Sequence, residues 1–137
     1  MEVAFSELNW IAIIVAVVAG QVLLTLWFTV LFGDPWAKAY GAESRAAHTK
    51  DVPGSAYGVG FACMVALVLA TAFLHQAAGV TDLAGGLTFG LIGAVGYGLA
   101  TVLPGYGFLL KSAAGRIAAG SQASAILLVS LILGAFG

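Results

Sequence analysis

The sequence has 137 residues, enough for one domain. Apolar residues make up 61% of it and charged residues only 8%, whereas about a quarter of the residues in a soluble domain are charged. Eleven charged residues are too few to cover the surface of a soluble domain of this size, so lipid must surround most of the chain. The formal net charge of −1 and the absence of a basic patch argue against a nucleic-acid partner, and Cys63, the only cysteine, cannot form an intramolecular disulfide or a cysteine-based metal site.

Four stretches contain no charged residue: 9–33, 52–81, 83–110 and 117–137. About 20 residues of helix cross a hydrocarbon core of about 30 Å, and lipid offers the backbone no hydrogen bonds, so each stretch must be helical. We predict an all-α polytopic membrane protein, a single four-helix transmembrane domain over residues 1–137. Its helices are expected near 10–32, 54–78, 83–103 and 116–136.

The opening segment carries Glu2 and Glu7 and no basic residue. A secretory signal peptide needs a basic start and a shorter apolar core. We therefore expect the first apolar run to be a retained membrane helix.

The connection over residues 34–52 is predicted to be an amphipathic loop at the headgroup level. Asp34 is expected to cap a short helix with Pro35 at its first position. Trp36 and Tyr40 lie one turn apart in that helix. With Trp10 and Trp27 they are expected to act as interface anchors, because such amphipathic rings favour the membrane surface. In the second connection, Thr81 or Asp82 can cap helix three.

Lys and Arg are distributed on one side of the predicted bundle. The first and third connections hold all five: Lys38, Arg45, Lys50, Lys111 and Arg116. The two termini and the second connection hold none. The positive-inside rule then places that side in the cytoplasm and both termini outside it, with the protein in the cell (cytoplasmic or inner) membrane.

The motif residues of helix one resemble a known family. Asn9-Trp10, Trp27-Phe28, Leu31-Phe32-Gly33 and Trp36 are similar to the pattern of a family of small bacterial four-helix membrane proteins that is defined only as a domain of unknown function. The likeness extends to the glycine-rich third helix and the apolar fourth. It implies the four-helix fold and a bacterial-type cytoplasmic membrane, but no substrate, cofactor or catalytic residue.

Small residues recur at four-residue spacing on all four predicted helices, a pattern that allows close helix packing in lipid. We call each such row a small-residue track, and the four tracks are Ala12, Ala16 and Gly20; Gly54, Gly58, Ala62, Ala66 and Ala70; Gly86, Gly90, Ala94 and Gly98; and Gly115, Ala119 and Ala123. We expect packing positions at Gly20 on helix one, at Gly58 and Ala62 on helix two, and at Gly86, Gly90, Ala94 and Gly98 on helix three. Helix three is expected to contact several neighbours. Whether one bundle uses all these surfaces, or whether some serve another chain, is open at this point.

Candidate polar chemistry inside the spans is sparse, because no charged residue lies in their interior and Arg116 stands only at the start of the fourth. Gln21, Thr25 and Gln122 either bond neighbouring helices or form a polar path for a small solute. His75 is the one candidate for cofactor binding, with an interfacial hydrogen bond as the alternative. The other histidine, His48, is expected in the first connection at the opposite end, and Cys63 is the only cysteine. We therefore expect no metal and no cofactor, because metal sites usually have several converging ligands.

Two further features of the sequence bear on function. The stretch 94–98, AVGYG, is similar to a potassium-filter sequence, but it lies in a charge-free run long enough to span alone. Common hydrolase, metalloprotease, nucleotide-binding and thiol-redox motifs do not occur. We therefore expect a non-enzymatic protein.

The sequence favours a non-catalytic helix-packing component, either a homo-oligomer or an accessory subunit of a larger membrane complex. Its partners are then the lipid bilayer and other membrane helices. The alternative is a small-solute or ion transporter or channel that uses Gln21, Thr25 and Gln122.

Overall fold

The structure is a computed structural model that describes residues 3–137, so Glu2 lies outside the described residues. It confirms an all-α protein with four helices long and apolar enough to cross a membrane. These are α1 (Trp10–Leu31), α4 (Gly54–Ala78), α5 (Leu83–Phe108) and α6 (Ser112–Ala135). Two short helices, α2 (Gly33–Ala39) and α3 (Arg45–Thr49), lie between α1 and α4, and a 3₁₀ turn (Phe5–Glu7) precedes α1.

The third and fourth long helices differ from the expected bounds. α5 runs to Phe108 and contains Pro104, and α6 begins at Ser112, so the connection between them shrinks to residues 109–111. Proline lacks only one hydrogen-bond donor, and helix ends in a membrane can accommodate it. Leu110 makes the tight turn with φ of 56°.

Side-chain caps define two helix starts. The Asp82 carboxylate accepts from the Gly85 nitrogen at 2.7 Å and caps α5, as the sequence indicated. The expected Asp34 cap of α2 is wrong, because Phe32 holds the cap position and Asp34 lies inside the helix. The Asp34 carboxylate instead accepts from the Arg45 backbone nitrogen at 2.9 Å, which ties the start of α3 to α2.

α6 is the central helix of the bundle, and the other three long helices pack around it. The buried core joins Ala12 and Ala16 of α1, Val68 of α4, and Ala125 and Val129 of α6. The sequence predicted that α5 contacts several neighbours; α5 packs chiefly on α6, and Phe89 also contacts His75 of α4. Small residues on α5 produce one very close seam rather than several ordinary ones.

The two ends of the bundle are chemically different. At one end, which we call the cationic end, Lys111 donates to the Ala39 carbonyl at 3.4 Å and so joins the first and third connections. At the other, which we call the terminal end, Asn9 donates to the Phe136 carbonyl at 3.1 Å, and Gln76 bonds the backbone of Ala4. The five Lys and Arg residues therefore share one end of the molecule.

Two membrane helices contain a π-helical turn. The turns span Trp27–Leu31 in α1 and Ala94–Leu99 in α5. Beside them, the hydroxyls of Thr29 and Thr101 donate to the carbonyls four residues earlier, which supplies partners to backbone groups in the disturbed ladder. The filter-like stretch 94–98 is thus helical, without the unwound backbone that a potassium filter uses.

Candidate functional site

The small-residue track of α5 forms the closest seam in the bundle. A side chain at Gly86 would bring its Cβ within 2.7 Å of the Ser130 carbonyl oxygen and 3.1 Å of the Gly134 Cα. Gly90 faces Leu127 and Ser130, and Gly98 faces Ala123. Such approaches allow extensive dispersion contact where apolar burial drives little association. Gly86, Gly90, Ala94 and Gly98 are all buried here.

The tracks of α1 and α6 are also used inside the chain. Ala12, Ala16 and Gly20 of α1 are buried, and Gly20 lies against the Met64 thioether of α4. On α6, Gly115 packs under Tyr106. Three of the four tracks predicted from sequence are therefore occupied by contacts within one copy.

The track of α4 has no such contacts. Its members are exposed: Gly54, Gly58, Ala62, Ala66 and Ala70. Nothing lies within 4 Å of a Cβ built at Gly54 or Gly58. The buried residues of α4, among them Met64 and Val68, lie on the opposite side of the helix, because successive residues turn by 100°. We call the surface of Gly58, Ala62 and Ala66 the outward face of α4.

His75 is buried at the terminal-end side of the core, only 4% exposed. Its Nε2 lies 2.8 Å from the Ser130 hydroxyl, and that hydroxyl donates to the Gly86 carbonyl at 2.8 Å. Ser130 must then accept from His75, so Nε2 carries the proton and Nδ1 carries the lone pair. The chain of bonds links α4, α5 and α6, and Phe89 packs edge-on against the imidazole at 4.9 Å.

Replacing Ser130 with alanine is expected to destabilise the bundle. The change removes partners from the His75 Nε2–H and the Gly86 carbonyl, and an unsatisfied buried group costs about 1–3 kcal/mol. Unfolding in mixed micelles would measure it, with Ser124→Ala, a half-buried serine of the same helix, as the control. Equal unfolding midpoints for the two variants would show that the hydrogen-bond chain carries no stability.

A cleft of about 420 Å³ opens beside His75 at the terminal end. Glu7, Asn9 and Gln76 line it together with the ends of α4 and α6. The Nδ1 atom of His75 is buried without a partner among residues 3–137. In that same part of the chain, no group of three His, Cys, Asp or Glu residues is placed to hold a metal ion.

A second cleft, of about 550 Å³, lies at the cationic end between α1, the short helices and the start of α4. Gln21 and Thr25 of the expected polar path line it, with Arg45 and His48 at its loop side. Gln122 is exposed on α6 and is not among the residues that line this cleft. The structure therefore brings two of the three polar-path residues together and leaves the third apart.

The aromatic anchors have different surroundings. Trp10 is 47% exposed at the start of α1. Trp27 donates from its indole nitrogen to the Ile117 carbonyl at 3.0 Å and packs on Gly120, so it clamps α1 to α6. Trp36 packs edge-on against Phe28 and Tyr40, with ring centroids 5.1 and 5.0 Å apart.

Tyr40 is a neutral phenol at physiological pH. Burial, followed by the hydrogen bond with Tyr106, raises the pKa of Tyr40 to about 12.

Sequence reasoning missed the role of Gly33. A Cβ there would lie 2.9 Å from the Arg45 Cδ and from the Phe28 carbonyl. Gly33 thus lets the Arg45 stem cross the end of α1. The position of Gly33, directly after a long apolar run and before a basic loop, could have indicated this role. Glycine is common where another group must approach the backbone closely.

Comparison with curated proteins and with solved structures gives no match. One family model matches residues 11–134, and it is described as "Protein of unknown function (DUF1761)". The match covers the four long helices almost end to end. The chain is therefore a member of the DUF1761 family, a family of unknown function whose fold here is a four-helix membrane bundle.

Proposed function

We propose that the protein is a non-catalytic membrane component that assembles with a second copy of itself through the outward face of α4. One observation carries the proposal: α1, α5 and α6 bury their small-residue tracks within one copy, whereas the track of α4 is exposed. Exposed small residues at four-residue spacing allow two helix backbones to approach closely in lipid.

A second copy is the partner that this face fits best. Two copies inserted in the same direction can oppose identical faces about a two-fold axis along the membrane normal. The face has no bulky side chain at Gly58, Ala62 or Ala66, so the two α4 helices can pack along about two turns. No charged residue lies between Gly54 and Ala78, so no repulsion opposes the approach.

The non-catalytic part of the proposal is supported by where the buried polar groups go. The Thr71 hydroxyl donates to the Leu67 carbonyl, Ser121 donates to Ala118, and Ser130 serves the His75–Gly86 chain. The first two bonds lie within single helices and the third joins three helices, so these hydroxyls already have partners within one copy. The rival solute path needs Gln122 beside Gln21, and Gln122 is exposed elsewhere on α6.

Co-purification of two differently tagged copies from native membranes tests the proposal. If copies associate, the second tag is recovered with the first in a gentle detergent at constant ratio. Recovery of the tagged chain alone would overturn the proposal. Recovery of a different membrane chain at constant ratio, without the second tag, would also overturn self-association and would assign an accessory-subunit role.

We also propose that the cationic end faces the cytoplasm and that both termini lie outside it, because all five Lys and Arg residues occupy that end. In a Cys63→Ala background, a membrane-impermeant maleimide is expected to label Glu43→Cys only after permeabilisation. Thr81→Cys, exposed at the terminal end, is expected to react in intact cells. The reverse pattern would invert the orientation.

A further inference from the structure

We propose that the cleft at the cationic end binds one anionic phospholipid of the surrounding bilayer, with its phosphate at Arg45 and one acyl chain between α1 and α4. This site lies on the side of α4 that faces α1, so it is separate from the outward face and does not depend on self-association.

The cleft exists because the first part of α4 stands away from the bundle. Residues 54–63 are exposed throughout, and the buried positions of α4 begin at Met64. The gap of about 550 Å³ that results lies within the usual range for ligand sites.

Polarity changes along the cleft in the way a phospholipid requires. Arg45, His48 and Thr49 of α3 form its loop side, at the level where α1 ends. Leu24, Phe28, Ala56 and Gly60 provide apolar surface further along. Thr29, which lies closer to the loop end of α1 than Leu24, Thr25 or Phe28, adds a hydroxyl on the loop side, and Thr25 and Tyr57 add hydroxyls within the apolar surface.

The Arg45 side chain at the rim is exposed, and among residues 3–137 no carboxylate pairs with its guanidinium. Asp34 bonds the backbone nitrogen of Arg45 rather than its guanidinium. The Arg45 stem is held over Gly33, whose missing side chain gives it room. A guanidinium so positioned presents a fork of donors that matches phosphate oxygens, and basic pockets at this membrane level attract anionic headgroups.

Gln21 closes the inner end of the cleft. It lies eight residues before Thr29, about 12 Å deeper at the rise of an α-helix. The half-buried amide marks how far an acyl chain can run along α1 before the wall becomes polar and Gly20 meets Met64. The cleft therefore has a charged rim, an apolar wall and a defined floor.

Native mass spectrometry of the protein from nanodiscs of mixed phosphatidylglycerol and phosphatidylcholine tests the site. We expect one phosphatidylglycerol retained per chain in preference to phosphatidylcholine. Arg45→Gln should weaken retention about tenfold, the scale of one lost charge-assisted hydrogen bond. Lys50→Gln removes the same charge from the same connection outside the cleft and should leave retention unchanged.

A second variant separates the acyl groove from the charge. Nothing lies within 4 Å of a Cβ at Gly60, so Gly60→Leu can fill the cleft without disturbing the fold. It should abolish retention, while Gly96→Leu, at another open glycine, should not. Equal retention of both lipids, equal loss in Arg45→Gln and Lys50→Gln, unchanged retention in Gly60→Leu, or displacement of the lipid by inorganic phosphate would each overturn the proposal.

Discussion

Gly86→Leu should force α5 and α6 apart and lower the stability of the bundle, whereas Gly96→Leu should leave that stability nearly unchanged. The two glycines lie on the same helix and receive the same side chain. At Gly86 the new Cβ meets the Ser130 carbonyl oxygen at 2.7 Å and the Gly134 backbone at 3.1 Å, and backbone atoms cannot turn aside as a flexible side chain can. At Gly96 nothing lies within 4 Å.

The cost at Gly86 is expected to reach or exceed the upper part of the usual overpacking range, about 3 kcal/mol. Unfolding by increasing SDS fraction in mixed micelles, followed by circular dichroism or tryptophan fluorescence, would measure both variants against the parent chain. If Gly86→Leu unfolded at the same SDS fraction as Gly96→Leu, the close α5–α6 seam would not exist in the folded protein.

Gly58→Leu should convert the self-associated protein to single copies without unfolding it. Gly58 lies on the outward face of α4 and is as open within one copy as Gly96. Leucine there holds two helices apart, and association that depends on backbone approach then weakens by roughly tenfold or more. The SDS-unfolding midpoint of the monomer should stay unchanged.

Sedimentation equilibrium in density-matched detergent distinguishes dimers from single copies. The parent chain and Gly96→Leu should sediment as dimers over the same concentration range, and Gly58→Leu as a monomer. Gly58→Ala, a far smaller change, should retain most of the association. If all four proteins gave the same mass, the outward face would not be the contact between copies.

The membrane spans were predictable because lipid offers the backbone no hydrogen-bond partners. A charge-free run longer than 20 residues must be helical in lipid whatever its detailed sequence, so the four spans followed from where the charges stop. Helix ends near charged caps were also predictable, as at Asp82. The role of Asp34 was not predictable, because a carboxylate beside a turn can cap its own helix or bond a neighbouring one. Only the path of the chain to Arg45 decides between the two.

The choice of central helix could not be read from the spacing of small residues. All four helices carry the same period, so the pattern states that each can pack closely but not which partner it meets. α6 is the central helix, yet its track of Gly115, Ala119 and Ala123 has the same spacing as the tracks of the other three helices. The same limitation concealed that the track of α4 points away from the bundle.

The candidate sites were predictable in residue type but not in grouping. Gln21 and Thr25 share a cleft because they lie one turn apart on one helix, a relation that sequence provides. Gln122 is on another helix, and its rotation about that helix axis depends on packing. The bond from His75 to Ser130 joins residues 55 positions apart, which no local pattern encodes. The π turns escaped notice because they alter hydrogen bonding without altering hydropathy.

A cysteine scan along α4 tests the contact between copies most directly. In a Cys63→Ala background, single cysteines would be placed from Ser55 to Ala70 and oxidised in native membranes, where a disulfide needs Cβ atoms about 4 Å apart. We expect cross-linked dimers at Gly58, Ala62 and Ala66, with weak cross-linking at Gly60 and Leu67 on the inner side. Cross-linking that was equal at every position, or that peaked on the side of α4 facing α1, would contradict assembly through the outward face.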